Sequence, residues 1–378
     1  MPAKLKYFNV NWENGMNINK EHFIQQENVF IEGIKDARAV FLNSTNYGLF
    51  PVDRQSESSV KTILKIDNQN FLRIKILYCS AVTEGGIRIE IREDFQMQEL
   101  SIDLTGELNS AENGNGGDYF VLLSADPFEK QVYGDLNTEE DPPRYPFTVP
   151  SYKVTVIPEK RISEDISHPD SLFIGKLKIE QGALTVYDDY IPPCMTVSSH
   201  SGLINFNDLT DKFFSQLEIN LLSIIRKIKE KNQDTSLAQS VLSLSEHLLN
   251  YVSANHLRLR WEMPWLSPVH LFTYIANAAC VIRNAIDSNA SSDKEEMLNY
   301  FTNWSELKQG DFEKLLVYCI SFKYKHYDIL FSIEQFTGFI QIIALLFDKL
   351  ESLAYIGKKK DTNIFVKEQT TKRSFLAD

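Results

Sequence analysis

Apolar residues near the start of the chain recur at helical spacing: Phe23, Phe30, Ile34, Ala37 and Phe41 are separated by 7, 4, 3 and 4 positions, which predicts one face of a helix. The polar set His22, Gln25 and Gln26 lies off that face, free to pair with other backbone or with another chain. A Gly turn at Asn14-Gly15 precedes the helix, because Gly accepts positive φ without steric cost. From about residue 60 the period changes. Ile74 and Ile76 alternate with Arg73 and Lys75, and Ile87, Ile89 and Ile91 alternate with Arg88 and Glu90, the period of half-buried strands. Further strands are predicted at Val60–Ile66, Ser101–Leu104, Tyr119–Ser124, Tyr152–Ile157, Leu172–Glu180 and Ala183–Tyr190. Short strands divided by turn signals point to an antiparallel sandwich. Asp135 to Pro150, with Glu139-Glu140-Asp141 and four prolines, reads as a long exposed loop.

At Ile191-Pro192-Pro193-Cys194 the texture changes. Consecutive prolines cannot donate ladder hydrogen bonds and so end the last strand. Beyond them Leu209, Phe213, Leu217, Leu221, Ile224 and Ile228 mark an amphipathic helix. Leu237, Val241, Leu244, Leu248 and Tyr251 then repeat at 4, 3, 4 and 3, a heptad seam suited to an oligomer interface, and Leu242, Leu249 and His256 add a second row. Ser267-Pro268 reads as an N-cap before a further helix. A last long helix is expected from Ser332, with Gln335 completing a capping box, to Gly357. Lys358-Lys359-Lys360 suits its C-terminus. The expected class is therefore α+β, an N-terminal antiparallel β-sandwich shell domain followed by a helical bundle. The boundaries are 1–190 for the shell, 191–206 for a proline-containing linker, 207–357 for the bundle and 358–378 for a flexible tail.

The 378 residues carry a formal net charge of −12, which argues against wrapping a nucleic-acid backbone. No secretory signal is legible at the start, and the longest apolar window, Phe336 to Leu346, is too short to span a bilayer. Four scattered cysteines read as buried thiols in a reducing cytosol, which makes the three N-x-Ser/Thr sequons chance matches. A cytoplasmic location is expected. Candidate chemistry is thin. Gly114-Asn-Gly116-Gly117 opens no helix, Asp188-Asp189 has no nearby His, and His247 and His256 are nine residues apart rather than an i, i+4 pair. No metal, cofactor, small-molecule substrate or catalytic residue is expected. Trp261 and Trp265 are either core packing or an interface anchor.

Three segments in order carry a resemblance. Trp12, Gly15, Met16, His22, Phe23, Gln25 and Gln26 fit the pattern W-x-E-G-M-x-L-x-P-Q-H-F-Q-Q-Q, with Asn14, Lys20-Glu21 and Ile24 as departures. Tyr190-Ile-Pro-Pro-Cys-Met-Thr-Val197 and Ser267-Pro-Val-His-Leu-Phe272 follow the patterns F-I-P-P-C-L-x-I and H-P-x-x-L-Y, and Tyr324-Lys-His326-Tyr-Asp328 is loosely similar to Y-x-H-x-D. The chain resembles TssK, the baseplate subunit of bacterial type VI secretion systems. That resemblance implies a homotrimer with a β-sandwich shell, partners of the TssF/TssG wedge type, and attachment to a membrane-anchor complex or adaptor. It implies a short form lacking the usual C-terminal head, and assigns Trp12, Gly15, Met16, His22, Phe23, Gln25 and Gln26 to partner attachment. A phage-tail-like receptor-binding or adaptor protein, or a hydrolase with an unrecognised site, are the alternatives.

Overall fold

The computed structural model describes residues 4–52, 58–92, 99–110, 116–162, 169–180, 183–303 and 310–357. It begins with helix α1 (Lys20–Ala39) and continues through β1 (Gly48–Leu49), β2 (Val60–Ile66), β3 (Phe71–Val82), β4 (Arg88–Ile91) and β5 (Leu100–Asp103). Short helix α2 (Thr105–Ser110) leads to the long hairpin β6 (Gly117–Tyr133) and β7 (Phe147–Pro158). Then come α3 (Glu159–Ile162), β8 (Ser171–Glu180) and β9 (Ala183–Val186). Among the described residues six α-helices follow: α4 (Ser201–Glu230), α5 (Ser236–Trp261), α6 (Pro268–Asp287), α7 (Ser291–Thr302), α8 (Asp311–Ser321) and α9 (Ile329–Ser352). The pairs among these described strands are all antiparallel. In one sheet β1, β2, β4 and β5 all pair with β3, and the other runs β7-β6-β8-β9. The class is α+β with a helical second half, as the periodicities predict.

The alternation read in the sequence is the alternation of burial. Ile74, Ile76, Ile89 and Ile91 are buried while Arg73, Lys75, Arg88 and Glu90 face water. The hairpin departs from expectation. β6 runs past Ser124, shifts register between Asp126 and Lys130, and pairs onward to Tyr133. Pro127 falls in that irregularity, where a missing N–H costs no ladder bond. Residues 147–150, expected in a loop, are therefore strand.

The chain forms two compact units whose boundaries differ from those expected. One comprises residues 1–213, 255–277 and 321–338, the other 214–254, 278–320 and 339–378. The first unit thus holds the sandwich together with pieces of sequence expected in the bundle. Its centre explains why. His326 is wholly buried, its Nε2 donating to the Tyr47 carbonyl at 2.8 Å and its Nδ1 accepting from the Tyr324 hydroxyl at 2.7 Å. Tyr190 donates to the Tyr327 carbonyl at 2.7 Å, and the Tyr327 ring stacks on Phe173 and meets Phe120 edge-on. Lys176, largely buried, binds Asp328 at 2.8 Å and Asp118 at 2.9 Å beside the rings of Phe120 and Tyr187. Burial works against its charge, but the hydrogen bonds to the two carboxylates outweigh it and raise the ammonium pKa.

The supposed linker is also core. Tyr190 to Cys194 are buried, and Leu49 N–H donates to the Pro193 carbonyl while Met195 N–H donates to the Leu49 carbonyl. Gly48 makes this possible. At φ +115° it has no side chain, and a Cβ there would lie 2.0 Å from the Pro193 oxygen. Two prolines lacking N–H groups serve here as acceptors rather than as a hinge.

In the second unit Leu237, Val241, Leu244 and Leu248 are buried within the chain itself. The expected homotrimer seam is corrected accordingly: these four side chains fill the monomer's own core, and only Tyr251 of that row is half-exposed. Carbonyls in the last turn of α9 and just beyond it are capped from the end of α4 and the residue that follows, by Lys227 to those of Glu351 and Leu353 and by Lys231 to that of Ala354. Helix α9 starts at Ile329 and ends at Ser352, so Ser332 lies inside it, buried, and is no cap. Lys358–Lys360 lies outside the described residues. Helix α9 is a single 24-residue run that is long and apolar enough to cross a membrane by length and composition, which corrects the expectation of a window too short to do so. One face of it is nevertheless fold core, with Phe336, Phe339, Ile343 and Phe347 buried, and its Asp348 accepts from Asn220 at 2.5 Å.

Two outcomes are expected. His326 has its pKa pushed down to about 4 by burial, with the Tyr47 hydrogen bond opposing. Its contribution is complete above the unfolded value near 6.5 and is lost as pH falls toward 4, about 2–3 kcal/mol by pH 4.5. Urea unfolding at pH 7.5 and 4.5 checks this, and the His326→Gln variant is expected to show a smaller difference between the two. Leu244→Ala is expected to cost about 2–5 kcal/mol, independent of protein concentration, whereas a seam residue would give a concentration-dependent effect.

Candidate interaction surface

The N-terminal segment is built on α1. Asn19 caps the helix, its Oδ1 accepting from His22 N–H while His22 Nδ1 accepts from Asn19 N–H. His22 thus takes the place that Glu or Gln holds in an ordinary capping box. Gln25 donates to the Phe8 carbonyl at 2.9 Å and Gln26 to Asn9 Oδ1 at 3.3 Å. Glu32 accepts from the backbone N–H groups of Lys6 and Tyr7, and Tyr7 stacks on Phe128. Of the two roles open to His22, Gln25 and Gln26, pairing with other backbone or with another chain, each is engaged within this chain. They strap residues 6–9 and the helix start in place.

The helix is seated the opposite way from a core helix. Its half-buried face is largely polar: Asn28 is buried and Lys35 pairs with Asp170 at 2.8 Å, while at the rim exposed Glu27 pairs with Lys130 at 2.5 Å. Gly86 admits the helix backbone, since a Cβ there would sit 2.3 Å from the Lys35 carbonyl. The apolar stripe read in the sequence faces outward. Phe23 is 62% exposed and Phe41 80%, and Phe30 and Ile34 are likewise exposed. Phe23 therefore does not pack the helix onto the sandwich. Trp12, 48% exposed, lies against the His22 and Phe23 rings. Leu5, Phe8 and Ile18 continue the exposed series. Gly15 turns the chain at φ +83°, with Met16 N–H bonded to the Glu13 carbonyl, and Met16 is half-buried. Aromatic side chains carry a large apolar surface each, and a row of them left open along one helix face is the kind of surface that marks an interaction site.

A second exposed pair lies on the first unit. Trp261 is 70% and Trp265 68% exposed, so of the two readings core packing is corrected. Ser267 does not cap α6. Its hydroxyl donates to the Thr45 carbonyl instead, and the proline at the first helical position is the start signal that holds.

Among the described residues no three His, Cys, Asp or Glu side chains are placed to hold a metal. Asp188 and Asp189 sit exposed in a turn. Gly114 and Asn115 of the glycine-rich stretch lie outside the described residues, and Gly117 opens β6. Cys79 and Cys319 have their thiol pKa values pushed up to about 12, chiefly by burial, which suppresses the reactive thiolate.

No family model matches the sequence, and no curated protein does. Solved structures do match. One chain of "The baseplate complex from the type VI secretion system" superposes at TM-score 0.50 with 14% identity, over 91% of this chain and 100% of that one. The fold is that of a type VI secretion baseplate chain. A crystal structure of TssK aligns at TM-score 0.47 and 13% identity, over 89% of this chain and 69% of that one. A chain from the TssK-TssF-TssG baseplate subcomplex aligns at 0.44 and 13%, over 92% and 100%.

Because Phe23 and Phe30 point outward, Phe23→Ala and Phe30→Ala are each expected to change stability by less than about 0.5 kcal/mol. Urea titration of the purified variants checks this. A loss of about 3–5 kcal/mol would place the ring in a core.

Proposed function

We propose that this chain is a structural subunit of a type VI secretion baseplate, acting in the manner of TssK. It works as a homotrimer that connects TssF/TssG-type wedge subunits to a membrane anchor or adaptor, on the cytoplasmic side of the membrane. The observation that carries the proposal is the outward-facing apolar stripe of α1 and its strapped N-terminal segment, on a fold shared over most of its length with a baseplate chain. An apolar surface of this size held open to water by polar contacts behind it is costly unless a partner covers it.

Within this reading Trp12, Met16 and Phe23 are contact residues, with Trp12 and Phe23 as aromatic anchors of the kind that dominate interface energetics. Gly15, His22, Gln25 and Gln26 set the geometry: Gly15 by its turn, the other three by hydrogen bonds that fix the segment before a partner arrives. Such preorganisation lowers the entropy cost of association. The protein's work is then assembly, with no chemical step.

The test is capture of the wedge subunits encoded with this chain by the tagged protein and its variants. Wild type is expected to retain them, and the pair Trp12→Ala, Phe23→Ala to lose them while keeping its far-ultraviolet circular dichroism. Retention by the double variant would remove the N-terminal element from the interface. Failure of wild type to retain any wedge subunit would overturn the baseplate reading.

A further inference from the structure

Beyond its register shift the β6–β7 hairpin extends as an arm, with residues 130–133 paired to 150–147 and Asn137 bridged to Arg144 at its tip. The arm carries exposed Val132, Leu136, Tyr145 and Phe147. Between residues 134 and 146 it has four carboxylates and one guanidinium. Arg144 is engaged by Glu140, so Asp135, Glu139 and Asp141 remain without a cationic partner among the described residues. An apolar and acidic arm reaching into water has no evident role in the fold of its own chain.

A matching surface lies at the arm's base. A groove of about 360 Å³ runs between α1 and the strands, floored by Ile31, Ile87 and Val149. Its charged lining is Lys35, Arg38, Arg88 and Lys130 against Glu27 and Glu90. Glu27 pairs with Lys130 and Glu90 with Arg88, while Lys35 pairs with Asp170 nearby. That leaves Arg38, exposed, with no carboxylate partner among the described residues. In a chain of net charge −12, this basic and apolar groove is the complement of the arm in both charge and polarity. β7 also ends its sheet, since among the described strands it pairs only with β6. The groove therefore borders a strand edge that an incoming chain can extend.

We infer that the acidic tip of the β6–β7 arm of one copy docks in the Arg38 groove of the next copy. Arm and groove are different surfaces, so the contact is heterologous, and successive copies close into a ring when the rotation permits. The inference rests on the homotrimer reading and supplies its contact: the subunits join through arm and groove rather than through the buried α5 heptad row.

The test uses the full chain, with mass read by light scattering after size exclusion and fold read by far-ultraviolet circular dichroism. Wild type is expected near three chains, with the mass falling as salt is raised. An arm variant, Asp135→Lys with Glu139→Lys, and a groove variant, Arg38→Glu, are each expected to fall toward one chain while staying folded. Mixing the two variants pairs each reversed arm with a reversed groove in only part of the contacts, so the decisive sample carries all three substitutions in one chain. It is expected to recover the wild-type mass. A wild-type trimer whose mass survives both reversals would overturn the arm–groove contact and leave the homotrimer reading standing. Loss of mass in both variants with no recovery in the combined chain would also overturn it. A trimer unchanged in mass that loses wedge subunits on reversal would assign the groove to a different protein. A wild-type monomer at every concentration would sink the homotrimer reading and the contact with it.

Discussion

The first unit depends on a neutral imidazole. His326 sits between a carbonyl it must donate to and a hydroxyl it must accept from, and both bonds are made with one tautomer, the proton on Nε2. A buried polar group that meets all its partners is inexpensive, while one that loses a partner is not. The flanking residues act in the same way. Tyr327 gives its ring to the Phe120 and Phe173 cluster and its carbonyl to Tyr190, and Asp328 holds Lys176. Residues far apart in sequence are thereby tied into one sandwich, and Gly48 and Pro193 close its other seam through a contact no side chain could survive.

The second constraint is the seating of α1. Mostly polar side chains form its inner face, with Val29 and Ile31 among them, and the aromatic ones its outer face, the reverse of the order that water alone would select. Lys35, Glu27 and the carbonyl packing at Gly86 hold it there. A surface kept apolar, with polar contacts holding it from behind, is suited to being covered.

Much of the architecture was legible in the sequence. Alternation in β3 and β4 gives both their strand character and their buried face, and the 3.6-residue period marks α4. What failed shares one cause, that periodicity states which residues lie together and not what they lie against. The α1 stripe is a correct face, and the period leaves open whether that face looks inward or outward. The Leu237–Leu248 row was a correct seam whose partner is the chain itself. The proline segment at 191–194 read as a linker because missing N–H groups imply breaks, but its carbonyls remain strong acceptors and its rings pack. Tyr324 to Asp328 gave only a loose motif, since a hub built from long-range contacts leaves no local period to detect. Trp261 and Trp265 admit two readings in the sequence, because an aromatic pair beside a proline packs or projects according to neighbours that are remote in sequence.

The central claim is that the outward stripe of α1 is free in the isolated chain and covered in the assembly. The measurement that tests it most directly is the rate of maleimide labelling at Phe23→Cys, in the purified protein and in the assembled baseplate, against wild type as the background for the native cysteines. The account predicts fast labelling in the purified protein and strong protection in the assembly. Equal labelling in both would contradict it, and so would protection already complete in the isolated, monodisperse chain.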